Sequence, residues 1–306
     1  MPPPTRESAH NGEMTVYIDP PRWPAHGTVF SHLVSDASLE ELHGFARSLG
    51  VSERAFDQDH YDVPAHRHED AVTLGARAVD GKQLARILIA SGLRIPARRR
   101  PAKLAAALTA RWRHHFPAHP DLGRELLGRW GETHRVYHGP EHLLHVLESL
   151  DRLTDLHTRS ELLLAAWFHD AVHEGRAGQD ERDSADLARR LLTANGWASA
   201  PAERVATLVL VTAEHDPDPQ DEDACLLVDA DLAVLGGDPD DYDRYRTAVR
   251  REYAHVPEEQ FRAARAEVLT ALRGLPQLFH HPAAVDLWEE RARQNLEREI
   301  AELTGR

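Results

Sequence analysis

From residue 104 onward, apolar residues recur at intervals of three and four, the pattern of helices that bury one face. Glycines or prolines separate several of these stretches, as expected where helices end and begin. The stretches span residues 104–115, 121–131, 140–155, 161–173, 181–194, 201–214, 222–235, 240–254, 257–273 and 283–303. The pattern predicts an all-α bundle, a fold that can bring residues distant in sequence around one central site.

The part of the chain before residue 95 mixes strand-like and helical patterns. Residues 15–18 form a β-branched, strand-like run, and apolar residues at helical spacing predict a helix over 39–49. Ser38, with Glu41 three residues later, forms a capping-box pattern at the start of this helix. We therefore predict a small α+β domain over residues 14–94.

Three other segments complete the predicted organisation. Residues 1–13 are polar and Pro-rich, and we expect them to be a disordered lead-in. Residues 95–103 are basic and interrupted by prolines, which disfavour helix and predict a linker. The arginines at 98–100 could contact RNA or phosphate, although a solvated linker explains them more simply. The all-α domain then occupies residues 104–306.

Composition narrows the range of partners. A net charge of −14 argues against a nucleic-acid groove, because such binding depends on neutralising phosphates. The single cysteine, Cys225, excludes an internal disulfide, and its apolar surroundings predict a buried residue in a reducing cytoplasm. No apolar stretch reaches the roughly 18 residues of a spanning helix, and the N-terminus lacks a secretory-signal pattern. We expect a cytoplasmic protein with no membrane partner.

Three apolar helical segments carry residue types that ligate metals. His142 lies in the first turn of one segment, His169 and Asp170 end a second, and Asp229 and Asp231 interrupt a third. A buried carboxylate is costly unless something pairs with it, and a metal is a natural partner for an imidazole and a carboxylate that arrive together. Such N and O ligands suit Mn²⁺, Mg²⁺, Fe²⁺, Co²⁺ or Ni²⁺ better than a closed zinc site. Taken singly, each residue has a simpler explanation, such as an ion pair, so the joint pattern carries the prediction.

The order His, His-Asp, Asp resembles the HD superfamily of metal-dependent phosphohydrolases. The likeness to a bacterial branch of predicted HD phosphohydrolases spans roughly residues 104–303. Its motifs are YHGPEH from residue 137, AWFHDAV from 166, ERDSA from 181, VTAEH from 211, DADLAVLG from 229 and VRREY from 249. The resemblance implies an HD-type helical bundle, so the expected fold class is mainly α with a small α+β domain before the bundle.

The resemblance also implies a ligand set and a reaction. A divalent metal, with Mn²⁺ as the first candidate, would be held by His142, His169, Asp170 and Asp229. Asp231 is the alternative to Asp229, because residues two apart on a helix cannot both face the metal. The implied reaction is hydrolysis of a phosphoester or pyrophosphate bond in a nucleotide-like small molecule, by metal-bound water. Asp170 would thus serve both metal binding and catalysis.

The expected proton donor is His138, which matches the histidine that protonates the leaving oxygen in cyclic-nucleotide phosphodiesterases. Gly139 replaces the asparagine of that family, which argues against a cyclic-nucleotide substrate. His215 is expected either to contact the metal-bound phosphate or to be a helix-end histidine. Glu181 is expected either to hydrogen-bond metal water or to begin its helix. Two arginines, at 250 and 265, could clamp phosphate or form surface ion pairs.

Residues 14–94 resemble a small domain of unknown function found in phage and bacterial proteins. The segments that carry this likeness are VYID from residue 16, FSHL from 30, DHYDV from 59 and GLR from 92. His32, Asp36, His60 and Asp62 form a second candidate polar site. Local hydrogen bonding of histidines in turns is the alternative explanation for these residues.

The leading functional hypothesis is a phosphohydrolase whose partner is a phosphorylated small molecule. The alternative is a non-catalytic regulatory module that binds metal or nucleotide. Nucleic-acid processing depends only on the arginines at 98–100 and is opposed by the net charge. The last helix, with Leu296, Ile300 and Leu303, is expected to pack either on the bundle or on another copy of the chain in a homodimer.

Overall fold

The structure is a computed structural model that describes residues 16–25, 27–57, 59–91, 93, 101–176 and 178–305. The predicted lead-in at 1–13 and the linker arginines at 98–100 lie outside the described residues. The chain divides into two units, Met1–Arg100 and Pro101–Arg306. As predicted, the protein is mainly helical and a small α+β domain precedes the helical part.

One sheet organises the described part of the first unit. Its strands are β1 (Val16–Ile18), β2 (Trp23–Ala25), β3 (Thr28–Ser35), β4 (Tyr61–Pro64) and β5 (Arg77–Ala78). The long strand β3 pairs antiparallel with β1 and β2 on one side and with β4 on the other. β5 extends the sheet by pairing in parallel with β1.

Helices α1 (Leu39–Ser48), α2 (His68–Leu74) and α3 (Gly81–Ala90) accompany this sheet. The N-cap half of the predicted capping box forms, because Oγ of Ser38 accepts a hydrogen bond from the backbone N–H of Glu41 at 3.1 Å. The reciprocal half does not form: the Glu41 carboxylate accepts from the hydroxyl of Ser35, which also accepts from the backbone N–H of Ser38. Ile18, Leu33 and Leu42 are fully buried between α1 and the sheet. The first unit therefore has a hydrophobic core of its own.

The second unit consists of helices joined by turns and loops, and its described residues include no strand. Its helices are α4 (Pro101–His115), α5 (Pro120–Trp130), α6 (Pro140–Leu153), α7 (Ser160–Phe168), α8 (Gln179–Ala194), α9 (Ser199–Val211), α10 (Glu222–Leu232), α11 (Pro239–Glu252), α12 (Glu258–Gly274), α13 (Pro282–Ala284) and α14 (Glu290–Thr304). A π-helical turn, Val285–Glu289, joins α13 to α14. α4 begins at Pro101, so residues 101–103, which were predicted as linker, are helical. Proline suits a first helical turn because its missing N–H has no partner there.

The two central helices of this unit are apolar nearly all round. In α7 every residue from 162 to 168 is buried, and in α10 every residue from 224 to 230 is buried. Cys225 is among the latter, as predicted. A helix of this kind has no solvent face, so a polar residue at its end or within it lies inside the protein. This placement makes the site possible.

A second apolar cluster joins α11, α12 and the C-terminal helix. Leu296 is fully buried there, and Ile300 and Leu303 pack against the same cluster. The last helix therefore packs on its own bundle, one of the two predicted arrangements. In the described part of the chain, no helix combines the length and the apolar character needed to cross a bilayer.

Candidate metal centre

Two histidines and two aspartates converge between α6, α7 and α10. The Nε2 atoms of His142 and His169 lie 3.1 Å apart. Oδ1 of Asp231 lies 3.1 Å from Nε2 of His142 and 3.6 Å from Nε2 of His169. Oδ2 of Asp170 lies 3.6 and 3.3 Å from the same two nitrogens. Each carboxylate oxygen is thus close to both imidazoles.

The fourth member is Asp231, the predicted alternative, and not Asp229. The Asp229 side chain is fully buried and turned away: its oxygens accept hydrogen bonds from the backbone N–H groups of His280 at 2.8 Å and His281 at 2.6 Å. Successive residues of an α-helix are rotated by about 100°, so two residues apart they point in nearly opposite directions. One faces the cluster and the other anchors the segment that leads into α13.

The donor set fits a divalent metal ion. Ligand atoms about 2.0–2.2 Å from a common metal are separated from one another by roughly 3.0–3.6 Å. The two histidine nitrogens, and each carboxylate oxygen with both of these nitrogens, are 3.1–3.6 Å apart. The ligand atoms of His142, His169 and Asp231 all lie within 4.8 Å of one another, and Asp170 joins this group through its contacts with the two histidines. Nδ1 of His169 donates to the carbonyl of Ala166 at 2.9 Å, so Nε2 is the nitrogen directed at the cluster and available to a metal that displaces its proton.

The local sequence explains why these side chains point inward. α6 begins at Pro140, which places His142 in its first turn, beside the buried face of the helix. His169 directly follows α7, a helix whose residues 162–168 are all apolar and buried. The ring of Trp130 lies beneath both histidines, with centroids 5.3 Å from that of His169 and 6.1 Å from that of His142. The histidine side chains are only 1–2% exposed, whereas those of the two aspartates are 14–15% exposed. The carboxylates therefore form the accessible side of the cluster.

In the metal-free protein, the side chains of the cluster shift one another's pKa values. Burial alone would lower the pKa of His169, but Asp170 and Asp231 outweigh it and raise that pKa to about 9. Burial likewise opposes ionisation of the two carboxyls, yet their histidine partners hold both pKa values well below the usual range. The pKa of His142 is lowered, chiefly by burial. The free cluster thus contains two carboxylates and a bound proton that a metal ion would displace.

His215 contacts Asp231 from outside and is not itself part of the cluster. Its Nε2 lies 3.0 Å from Oδ2 of Asp231, the oxygen not directed at His142. Among the residues that the structure describes, His215 is the one non-glycine residue with positive φ, at 53°. A left-handed backbone is unfavourable for such a residue and persists where its surroundings enforce it. This geometry gives His215 the position of an outer residue that orients a ligand.

Arg135 holds the backbone around the cluster and was not found by sequence analysis. Its guanidinium is fully buried and donates to the carbonyls of Asp170 at 2.6 Å, Ala171 at 3.2 Å and His138 at 3.2 Å. Its three acceptors lie on two separate segments of the chain. Arg135 therefore fixes the turn that carries Asp170 relative to the loop that carries His138.

His138 lies just beyond the cluster, with its ring centroid 5.7 Å from that of His142. A single glutamate, Glu252 at the end of α11, organises this loop. Oε2 of Glu252 accepts from the backbone N–H groups of residues 136, 137 and 138 at 2.7, 2.8 and 3.1 Å. Its Oε1 lies 2.5 Å from Nδ1 of His138 and 3.2 Å from Nε2 of His173.

Sequence analysis also missed the role of Glu252. One signal was present, because an acidic residue in the last turn of a helix opposes the helix dipole and needs another reason to be there. The ligand atoms of His138, His173 and Glu252 lie within 4.8 Å of one another, so these residues too could hold an ion. Glu252 already accepts hydrogen bonds from three backbone N–H groups of the loop, which indicates that it positions this loop.

The remaining predicted residues lie elsewhere. Glu181 lies in the first turn of α8, and its Oε2 is buried without a hydrogen-bond partner among the described residues. Arg250 is engaged by Glu258 at 2.8 Å and by the carbonyl of Tyr253 at 2.7 Å. Arg265 pairs with Glu299 at 3.0 Å and is largely buried. Arg250 thus forms the surface ion pair that was its predicted alternative, whereas the ion pair of Arg265 is buried.

Comparison with known proteins covers the first unit alone. Residues 16–91 match the family described as "Protein of unknown function (DUF4031)". This match confirms the predicted likeness of the first unit to a small domain of unknown function. No curated protein and no solved structure matches the chain.

Proposed function

We propose that the helical unit is a metal-dependent phosphohydrolase domain of the HD type. In this proposal it cleaves a phosphoester or pyrophosphate bond in a nucleotide-like small molecule. The observation that carries the proposal is that each of two carboxylate oxygens lies at a metal-ligand separation from both of two imidazole nitrogens, on an accessible side. They come from three helical segments in the order His, His-Asp, Asp, which is the order of the HD superfamily.

The ligands in this proposal are His142, His169, Asp170 and Asp231, and Mn²⁺ is the first candidate ion. When bound, a divalent metal polarises a phosphoryl oxygen and lowers the pKa of a water molecule. The two histidines lie on the buried side of the cluster, next to the ring of Trp130. The two carboxylates face the accessible side and define where a phosphorylated substrate approaches. His215 keeps one of them in place through its other oxygen.

His138 is the proposed proton donor to the leaving oxygen. The ionised Glu252 can only accept, so Nδ1 of His138 carries a hydrogen and Nε2 remains for proton transfer. Burial would lower the pKa of His138, but Glu252 and Asp170 raise it above the ordinary value. The side chain is 24% exposed, so a substrate can reach it. A protonated imidazole next to the proposed metal ligands is suited to act as a general acid.

The test is phosphate release from a panel of nucleotides and sugar phosphates with added Mn²⁺. Wild-type protein is compared with Asp170→Ala and with Asp240→Ala, a matched control at an exposed position in the first turn of α11. We expect release by wild type and by Asp240→Ala, and none by Asp170→Ala. Full turnover by Asp170→Ala would refute the proposal. Binding of metal and nucleotide without any release would instead favour the regulatory module.

A further inference from the structure

The sheet of the first unit carries a second set of converging ligand atoms, which the proposed function does not use. The pairing of β3 with β4 places His32 directly opposite Asp62, and His60 comes just before β4. Nε2 of His32 lies 3.8 Å from Oδ1 of Asp62, and Nε2 of His60 lies 3.7 Å from the same oxygen. The two rings meet edge to face with centroids 4.7 Å apart.

A buried aspartate supports each histidine from behind. Nδ1 of His32 lies 3.3 Å from Oδ2 of Asp19, whose Oδ1 accepts from the backbone N–H of His32 at 2.6 Å. Nδ1 of His60 lies 2.5 Å from Oδ1 of Asp59. Asp19 is 2% exposed and Asp59 is fully buried. A carboxylate on the far nitrogen is the usual partner of a metal-binding histidine, because it fixes the ring and its tautomer.

This arrangement leaves three acceptors facing one another. A carboxylate can only accept, so Asp19 and Asp59 hold a hydrogen on Nδ1 of each histidine. Both Nε2 atoms then present lone pairs toward the carboxylate of Asp62. Converging lone pairs and a negative charge are stabilised by a cation, and two imidazoles with one carboxylate suit a divalent transition metal.

The three ligand atoms lie in the wall of a pocket of about 430 Å³. Asp62 is 44% exposed and His32 is 25% exposed, so the site is reached from solvent. Apolar side chains form much of the remaining wall, including Trp23, whose ring lies 4.8 Å from that of His32. Three ligands on one wall leave the opposite coordination positions directed into the pocket.

Asp36, which was also predicted for this site, is not part of it. Its carboxylate accepts from the hydroxyl of Tyr17 at 2.8 Å. It lies on the same unit and carries the same functional group as Asp62, so it offers a matched control.

We propose that His32, His60 and Asp62 bind one divalent transition-metal ion through two Nε2 atoms and a carboxylate, with open positions toward the pocket. The separations of 3.7 and 3.8 Å slightly exceed the roughly 3.0–3.6 Å between ligands of a bound ion. A small inward movement of Asp62, the most exposed of the three, closes this difference. The site is separate from the proposed hydrolase centre, and either can exist without the other.

The experiment measures zinc bound per full-length chain after dialysis against Zn²⁺, by elemental analysis. The parent protein is compared with the double variant His32→Ala/His60→Ala and with Asp62→Asn and Asp36→Asn. We expect the double variant to bind one equivalent less than the parent, whatever the helical unit binds. Asp62→Asn should lower the affinity for that zinc ion by more than tenfold, and Asp36→Asn should bind zinc as the parent does.

A further variant separates metal positioning from simple packing. Asp19→Asn changes none of the three proposed ligands. It should nevertheless lower the affinity for the same zinc ion by about 10- to 100-fold, because Asp19 orients His32. Melting temperatures measured without metal show whether each variant is folded. If the double variant is unfolded, Asp62→Asn, at a half-exposed position, provides the test of zinc binding. The proposal is overturned if folded Asp62→Asn and double-variant proteins bind as much zinc, and as tightly, as the parent.

Discussion

Asp229 and Asp231 lie two residues apart on α10, and the same substitution is expected to have opposite consequences at the two positions. Asp229 is fully buried and each of its oxygens accepts from a separate backbone N–H, those of His280 and His281. In Asp229→Asn, an NH₂ group replaces one oxygen and confronts a backbone N–H. A hydrogen bond to a charged group contributes about 1.5–3 kcal/mol, and a donor left without an acceptor costs about 1–3 kcal/mol.

We therefore expect Asp229→Asn to lower the free energy of unfolding by about 2–4 kcal/mol. The four ligand atoms remain, so the folded variant should still bind metal. In Asp231→Asn the charge that lies between the two imidazoles is lost. Removal of an outer partner of a ligand already costs about 10- to 100-fold in metal affinity, and loss of a ligand should cost more.

Urea unfolding of the metal-free proteins gives the free energies, and competition with a chromophoric chelator gives the Mn²⁺ affinities. Wild type and Asp240→Ala serve as references for both measurements. The ligand assignment would be refuted if Asp229→Asn lost metal at wild-type stability while Asp231→Asn kept wild-type affinity.

Three further predictions concern the proton donor, its partner and the metal. His138→Asn should lower kcat by about 10²- to 10⁴-fold in steady-state phosphate release with Mn²⁺ content unchanged, and unchanged kcat would exclude His138 as the donor. Burial would raise the pKa of Glu252, but hydrogen bonds from His138 and His173 hold it far below the usual value. Its contribution to stability is therefore present above the unfolded pKa and lost as the pH falls toward the folded pKa. Urea unfolding at several pH values should show that the free energy of unfolding falls more steeply for wild type than for Glu252→Gln between roughly pH 5 and 3. Parallel profiles would contradict this. Saturation with Mn²⁺ at a hundred times Kd should stabilise the helical unit of wild type by about 2.7 kcal/mol in thermal unfolding, and an equal gain in Asp170→Ala would place the ion elsewhere.

The helical pattern was sufficient to predict the segments that carry the proposed ligands. Residues 162–168 of α7 and 224–230 of α10 are buried on every face, so the polar residues that lie among them or directly follow them are internal. The same property concealed which aspartate faces the cluster, because a helix buried all round has no polar stripe from which its rotation can be inferred. Asp229 is identified as an anchor only by residues 280 and 281, about fifty positions away.

The residues that sequence analysis missed act across long distances in the chain. Glu252 reaches a loop more than a hundred residues earlier, and Arg135 reaches a turn about 35 residues later. No local spacing encodes such pairs. In the first unit, His32 and Asp62 were predicted as members of one site and are brought together by the register of β3 with β4. Asp19, which was not predicted, joins them from the loop after β1. That register follows from the packing of the sheet rather than from any motif.

The central claim, that His142, His169, Asp170 and Asp231 hold a divalent metal, is tested most directly by crystals of the wild-type protein soaked in Mn²⁺. Diffraction measured at the manganese absorption edge locates the bound ions independently of any assay. We expect an anomalous peak enclosed by the two Nε2 atoms and the two carboxylates. A map with manganese peaks elsewhere and none at these four residues would contradict the account.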